Sequence, residues 1–395
     1  MISFQHLAPP LRLFHGPESL GQLGRELDRL GSKRAVIFCG ASLARQEALL
    51  EKDTLLDVVR SAMGDRCAGV FTGVRAHSPV PSVAAAAQEL KRLQADAVVA
   101  VGGGSAIVTA RAASILAAEG RDVRDLCTTQ DANGGLKSPK LLAPKLPQLV
   151  IPTTPTTAAV KAGSAVFDPV EGRRLALFDP KTRAHSLFID PRMLQSAPRA
   201  LVASAGLNTF ATAVEGLMSR AGNPLADALL MHAVRLLGRH LPDVARHDDA
   251  TVRGELVLAA VLCGQGTDHT GAGITTVLGH AIGARHEIEN GTVNAIVLPH
   301  VLRFNAAAAA AGLAKVAAAL GLPPNEAELL LPKVVKAVQM IFSTLDLPPR
   351  LRDVGIPAEA LPAIAATAMG DWFLRGNPRP VRDASELQDV LATAW

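Results

Sequence analysis

The sequence predicts an α/β N-terminal domain joined to an all-helical C-terminal domain. Between residues 34 and 154, short apolar runs closed by Gly, Pro or Thr alternate with stretches of helical spacing, the pattern of buried parallel strands with crossover helices. Beyond Pro191 strand signals vanish and long Ala/Leu-rich stretches take over. Length agrees, since 395 residues exceed one small core and suit two domains of roughly 100–200 residues each. The division is expected near Asp190, giving domains 1–190 and 191–395.

Taken in order, RAVIFCG (34–40), ADAVVAVGGG (95–104) and PQLVIPTT (147–154) read as strands, with SVAAAAQELKRL (82–93) and SAIVTARAASILAA (105–118) as helices between them. The implied unit is β-α-β. From Gly163 to Asp190 the chain reads SAVFDPVEGRRLALFDP and then AHSLFID, with turn residues at Asp168-Pro169 and Gly172, which predicts a β-hairpin. The helical half is punctuated by PRAL, AGNPLAD, GLPPNEAE and the polar, glycine-rich GQGTDHTGAG (264–273), read as a turn between two helices. The alanine run at 306–311 reads as helix, alanine having the highest helix propensity. The sequence carries no internal repeat.

Composition narrows the function. Hydrophobic residues make up 49% and charged residues 19%, a globular balance. A net charge of +4 spread over scattered basic residues, with no Tyr and 3% aromatics, argues against nucleic acid and for small anionic partners. Cys39, Cys67, Cys127 and Cys263 form no C-x-x-C pair, which fits a reducing cytoplasm. The N-terminus lacks a signal-peptide pattern and no run reaches the roughly 18 apolar residues of a membrane span, so no membrane partner is expected.

GGGSAIVTAR (102–111) follows a predicted strand and opens a predicted helix. A helix N-terminus presents unpaired amides and a partial positive charge, a place to hold a diphosphate. Gly102, Gly103 and Gly104 would let phosphates reach the backbone, and Ser105 would cap the helix while donating to a phosphate oxygen. Taken alone, the triplet also reads as a tight turn. IPTTPTTAA (151–159) supplies Thr153, Thr154, Thr156 and Thr157 at the next strand end, hydroxyls for the ribose or nicotinamide of the same ligand, or a polar strand-to-loop transition. The first strand ends in Gly40, where nicotinamide-binding folds often place an acid on the adenosine ribose. Without that carboxylate NADPH is tolerated as well as NADH.

Six segments, GGGSAIVTAR, IPTTPTT, LFIDPRML (187–194), GLNTFATAVEGL (206–217), GHAIGARHEIENGTVNAIVLPHVLRFN (279–305) and NPRPV (377–381), occur in one order along nearly the whole chain. Together they resemble the iron-containing alcohol dehydrogenase and maleylacetate reductase family, of the dehydroquinate-synthase-like fold. The resemblance implies a nucleotide-binding α/β domain, a helical domain, an active site in the cleft between them, and a homodimer. In metal-dependent members one Asp and three His hold Fe²⁺ or Zn²⁺. The matching positions here are Asn208, Thr212, Thr276 and Asn290, neutral oxygens that donate weakly to such ions, so no metal is expected. The family's Asp and Lys on the glycine-rich helix are matched by Val108 and Arg111, and its Glu after the Thr-rich loop by Val160. VRAHSPVPSV (74–83) resembles the His-x-Pro segment of maleylacetate reductases, which also often carry Asn at the position of Asn208.

His280 matches the family histidine that faces the nicotinamide without binding metal. Unperturbed imidazole titrates near ~6.5 and can donate a proton at neutral pH. Asn208, Thr212, Thr276 and Asn290 could form a neutral pocket that hydrogen-bonds a carbonyl or carboxylate, or be inert fillers. Asp268 and His269 cap a helix and line the cleft, with His269 as a second acid, or belong to a surface turn; His77 lies near the cofactor or in a surface loop; His300 belongs to the helix interior, and His286, Glu287 and Glu289 do not converge as metal ligands. The expected function is a metal-independent NAD(P)H-dependent oxidoreductase passing hydride to a small oxo- or enoyl-carboxylate, with His280 supplying the proton. A non-redox lyase, cyclase or isomerase on the same fold, and a non-catalytic binding subunit, are the alternatives.

Overall fold

The structure is a computed structural model that describes residues 3–46, 54–131, 135–323 and 327–395. It contains two compact units, Pro9–Pro198 and Met1–Ala8 with Arg199–Trp395. The first unit runs past Asp190 because the short helix Pro191–Gln195 buries Met193 in the core of the sheet. The first eight residues group with the helical unit, where His6 stacks on His269 with ring centroids 3.9 Å apart.

Besides a small antiparallel pair, Thr129–Gln130 with Leu136–Lys137, the strands of the α/β unit are β1 (Arg12–His15), β2 (Ala35–Phe38), β3 (Cys67–Phe71), β4 (Ala97–Gly102), β5 (Gln148–Pro152), β6 (Gly163–Asp168), β7 (Arg173–Phe178) and β8 (Ala184–Ile189). Six of them form a parallel sheet in the order β1-β8-β5-β4-β2-β3. Antiparallel β6 and β7 make the expected hairpin around Gly172. AHSLFID lies outside that hairpin, pairing as β8 in parallel with β1 and β5. All six residues of β4 and all five of β5 are buried, which is why both read as unbroken apolar runs. Ile37, Val99, Val101, Leu149 and Ile151 pack with helices α1 (Leu23–Arg29) and α2 (Leu55–Met63), each such side chain contributing about 1.5–3 kcal/mol by burial. A second cluster joins Val83 of α3 (Val80–Arg92) and Ala112 and Ile115 of α4 (Gly104–Glu119) to Val166, Leu175 and Leu177 of the hairpin.

The strand order decides where a ligand can sit. The chain leaves β2 toward β3 on one side and leaves β4 toward β5 on the other. The reversal lies between the C-terminal ends of β2 and β4, at Gly40 and Gly102, and open α/β sheets bind ligands at such a switch point.

The helical unit comprises α5 (Arg199–Met218), α6 (Pro224–Arg246), α7 (Ala250–Thr270), α8 (Ile274–His286), α9 (Asn290–Asn305), α10 (Ala310–Ala319), α11 (Ala327–Ser343), α12 (Leu361–Ala368) and α13 (Ala384–Ala394). In AGNPLAD, Asn223 caps α6 by accepting from the Leu225 and Ala226 amides, with Pro224 at the first helical position, the residue type suited to it. GQGTDHTGAG is not a turn: α7 continues through Thr270, and only Gly271–Gly273 separates it from α8. Gly266 is there for packing, since a Cβ on it would lie 2.6 Å from Leu230 Cγ on α6. The alanine run is split into a 3₁₀ turn at Ala306–Ala308 and the start of α10 at Ala310. The GLPPNEAE segment lies partly outside the described residues. Among the described residues α5 is the one helix long and apolar enough to cross a membrane, and 72% of its apolar window is buried inside the structure, as in a core helix.

Candidate active site

The candidate site of the α/β unit is built at the C-terminal ends of β2, β4 and β5. Gly102 has φ +140°, a conformation that a side chain would strain, and it turns the chain from β4 into α4. The α4 N-cap is Gly103, with no side chain to occupy the first amides of this 16-residue helix. A Cβ at Gly103 would stand 3.0 Å from Thr154 Oγ1, and one at Gly104 3.2 Å from Thr156 Oγ1. The glycine turn and the threonine loop therefore meet, joined by the Thr153 amide donating to Gly102 O at 3.1 Å. Thr153 and Thr154 are buried, Thr156 and Thr157 half-buried. Thr156 caps a short 3₁₀ turn, Thr157–Ala159. Bare helix amides beside a row of hydroxyls fit a dinucleotide diphosphate.

Ser105 does not cap α4. It is the second residue inside the helix, and its Oγ accepts the His77 amide at 3.2 Å. His77 and Ser78 both have positive φ, 59° and 48°, and that turn brings the amide within reach. Ser78 Oγ in turn donates to Ser105 O at 3.1 Å, and Thr109 Oγ1 donates to Ser78 Oγ at 3.0 Å. The VRAHSPVPSV loop is thus tied to the glycine helix, while the His77 side chain is exposed. Gly40 caps the short helix Ala41–Ala44 and bridges to Gly73. Arg111 is fully buried and donates to Gly163 O and Ala158 O, both at 2.6 Å. The guanidinium thereby secures the exit of the threonine loop.

In the helical unit the four positions matched to metal ligands make mostly internal bonds. Thr212 Oγ1 donates to Asn208 O at 2.8 Å, one turn back on α5. Thr276 Oγ1 donates to Glu215 Oε2 at 2.7 Å. The amides of Asn208 and Asn294 meet at 2.9 Å, and Asn294, turned so that its nitrogen faces acceptors, donates to Thr275 O at 3.0 Å and Asn290 O at 3.1 Å. Asn290 Oδ1 is buried without a hydrogen-bond partner. The pocket of four free donors expected from sequence is therefore reduced, because both threonine protons are committed within the protein. Two amides and two such hydroxyls do not fit iron or zinc, which take imidazole, thiolate or carboxylate. Among the described residues no group of three or more His, Cys, Asp or Glu is placed to hold a metal ion.

Glu215 is a feature that sequence reading passed over. It is fully buried and accepts from the Gly273, Thr275 and Thr276 amides and the Thr276 hydroxyl at the N-terminus of α8. Burial pushes its carboxyl up, against the hydrogen bonds that favour the charged form. The signal was available as a lone acid in the otherwise apolar stretch FATAVEGLM, since buried acids need partners. Asp371 was also missed. Its Oδ2 accepts from His280 Nδ1 at 2.7 Å.

The remaining histidines take other roles. His269 Nε2 lies 3.1 Å from Leu7 O and its ring stacks on His6. Burial lowers the imidazoles of His286 and His300, helped by Arg285 and Arg303 respectively. Glu287 ends α8 and Glu289 begins α9, both exposed. Burial pushes the Cys39 and Cys127 thiols up to about 11, so both are inert thiols near neutral pH.

Residues 10–191 match the profile of the iron-containing alcohol dehydrogenases, and residues 202–395 that of the C-terminal domain of the Fe-containing alcohol dehydrogenase family. Lactaldehyde reductase of Escherichia coli is 30% identical over 389 residues, covering 96% of this chain and 97% of that protein. Maleylacetate reductase 1 of Cupriavidus pinatubonensis is 27% identical over 401 residues, covering 100% and 97%. A crystal structure of a 1,3-propanediol oxidoreductase superposes with a TM-score of 0.89 over 100% of both chains at 24% identity, showing the same fold. These relatives are oxidoreductases, and the chain belongs to the iron-containing alcohol dehydrogenase family.

Proposed function

We propose that this member is a metal-independent reductase that uses NADPH or NADH on a small oxo- or enoyl-carboxylate, a substrate class suggested by its similarity to maleylacetate reductases. The observation that carries the metal-free part is the donor set: Thr212 and Thr276 give their protons to Asn208 O and Glu215, beside the amides of Asn208 and Asn290. The nicotinamide, when bound, supplies the hydride. The N-terminus of α4, without a side-chain cap, and the hydroxyls of Thr154 and Thr156 beside it would hold its diphosphate and ribose side. Gly40 presents no carboxylate to a 2′-phosphate, which supports use of NADPH alongside NADH.

His280 supplies the proton that completes reduction at the substrate oxygen or carbon. The Asn290 side-chain NH₂ would donate to the substrate carboxylate or carbonyl and orient it, a neutral stand-in for electrostatic stabilisation by a cation. The free cysteines support work in a reducing cytoplasm, and the family resemblance supports a homodimer. The test is His280→Ala, assayed for NADPH and NADH oxidation over a panel of small oxo-acids and enoyl-acids. Loss of turnover with cofactor affinity intact supports the assignment; full turnover in the variant excludes it.

A further inference from the structure

His280 and Asp371 are 18% and 13% exposed, with Nδ1 and Oδ2 at 2.7 Å. A carboxylate only accepts, so the proton of this bond sits on Nδ1, and proton exchange falls to Nε2. Asp371 is itself held in place. Its Oδ1 accepts the Phe373 amide at 3.0 Å, opening the 3₁₀ turn Trp372–Gly376. Just beyond, Asn377 exchanges amide hydrogen bonds of 2.9 and 2.7 Å with Asn305 and accepts from the Ile274 amide at 3.5 Å. A Cβ on Gly376 would collide with the Ala272 carbonyl. The segment carrying Asp371 is therefore clamped to the N-terminus of the helix carrying His280.

We propose that Asp371 is the positioning residue for His280, fixing the imidazole in its Nδ1–H tautomer and orientation and steadying the imidazolium from which Nε2 delivers the proton, on the donor role of His280 proposed above. The other charged groups carried by α8 or the elements packed on it include Glu215, Arg285, His286, Arg303 and Arg375. Glu215 directs its oxygens to the Gly273, Thr275 and Thr276 amides, and Asp371 is the carboxylate bonded to the ring. A residue that only stabilises the fold would not set a tautomer. One that holds the proton donor should govern kcat rather than KM, because it does not touch substrate.

The experiment pairs kinetics with ¹⁵N-histidine NMR on the full-length protein. Asp371→Asn preserves shape and an acceptor for the Phe373 amide; Asp371→Ala removes both. In wild type the His280 signals, assigned with His280→Gln, are expected in the Nδ1–H form. Asp371→Asn is expected to lose that preference and to lower kcat by about 100–1,000-fold, with KM changing less than about threefold. Unchanged His280 signals in both variants, or, with turnover lost in His280→Ala, turnover in Asp371→Asn within about threefold of wild type, overturns the proposal. If His280→Ala keeps full turnover while Asp371→Asn still shifts the ring signals, the donor role fails and with it the catalytic consequence drawn here. That result is distinct from a failure of the positioning, which the NMR reads by itself.

Discussion

Replacing Glu215 with alanine should loosen the N-terminus of α8 by an amount the structure allows one to work out. The carboxylate accepts from three buried amides, of Gly273, Thr275 and Thr276, and from the Thr276 hydroxyl. Each buried amide left without an acceptor costs about 1–3 kcal/mol. The hydroxyl can rotate to a new partner, and removing the acid also relieves the burial that pushes its carboxyl up. The net loss should therefore be about 3–5 kcal/mol. Glu215→Gln keeps the volume and one acceptor oxygen, turns an NH₂ toward the remaining donors, and should cost about 1–3 kcal/mol. The assay is urea unfolding followed by tryptophan emission. The chain has two Trp and no Tyr, and Trp372 and Trp395 both lie in the same unit as Glu215, so the signal reports on that unit alone. At an m-value of about 2.5 kcal/mol/M, a 4 kcal/mol loss lowers the midpoint by about 1.6 M. A shift for Glu215→Ala below about 0.3 M, or one no larger than that for Glu215→Gln, would refute the reasoning.

Further expectations concern each unit separately. Gly103→Ala places a methyl 3.0 Å from Thr154 Oγ1 at the uncapped start of α4; NADH affinity should fall by about tenfold or more with little change in thermal midpoint, and unchanged affinity would count against the diphosphate site. Arg111→Met leaves the Gly163 and Ala158 carbonyls without the guanidinium and should destabilise the α/β unit by about 2–4 kcal/mol, measured by hydrogen exchange of β4 and β5. Burial holds the folded-state imidazoles of His286 and His300 below the ordinary value, so the unfolded chain takes up protons first as pH falls through about 6.5. Stability present above that pH should be lost on acidification, seen as a lower urea midpoint at pH ~5.5 than at pH ~7.5. His300→Gln should shrink the difference, and a midpoint that rises in acid would reverse the sign argued here.

What could be read from sequence follows from how local each signal is. β2, β4 and β5 are buried apolar runs, and the glycine turn announces itself because only glycine suits the Gly102 backbone. β1 and β3 are not legible because each is short and lies at a sheet edge: in RLFH only Phe14 is half-buried, and CAGVF is half-buried throughout. GQGTDHT was read as a turn because glycine breaks isolated helices; packing against Leu230 overrides that preference. The Glu215 site joins residues about 60 apart and the His280–Asp371 pair residues 91 apart, and no local pattern encodes a contact at such range. Asn208, Thr212, Thr276 and Asn290 were legible as residue types. What the threonines bind instead, Asn208 O and Glu215, required the fold.

On the proposed function, the pocket around Asn208, Thr212, Thr276 and Asn290 works without a metal. The most direct measurement is elemental analysis of protein produced in iron- and zinc-supplemented medium, with NADH and NADPH titrations of the same sample before and after dialysis against a chelator. The expected result is metal far below one ion per chain and cofactor binding unchanged by the chelator. About one iron or zinc per chain, with binding or turnover lost on its removal and restored on its return, would contradict it.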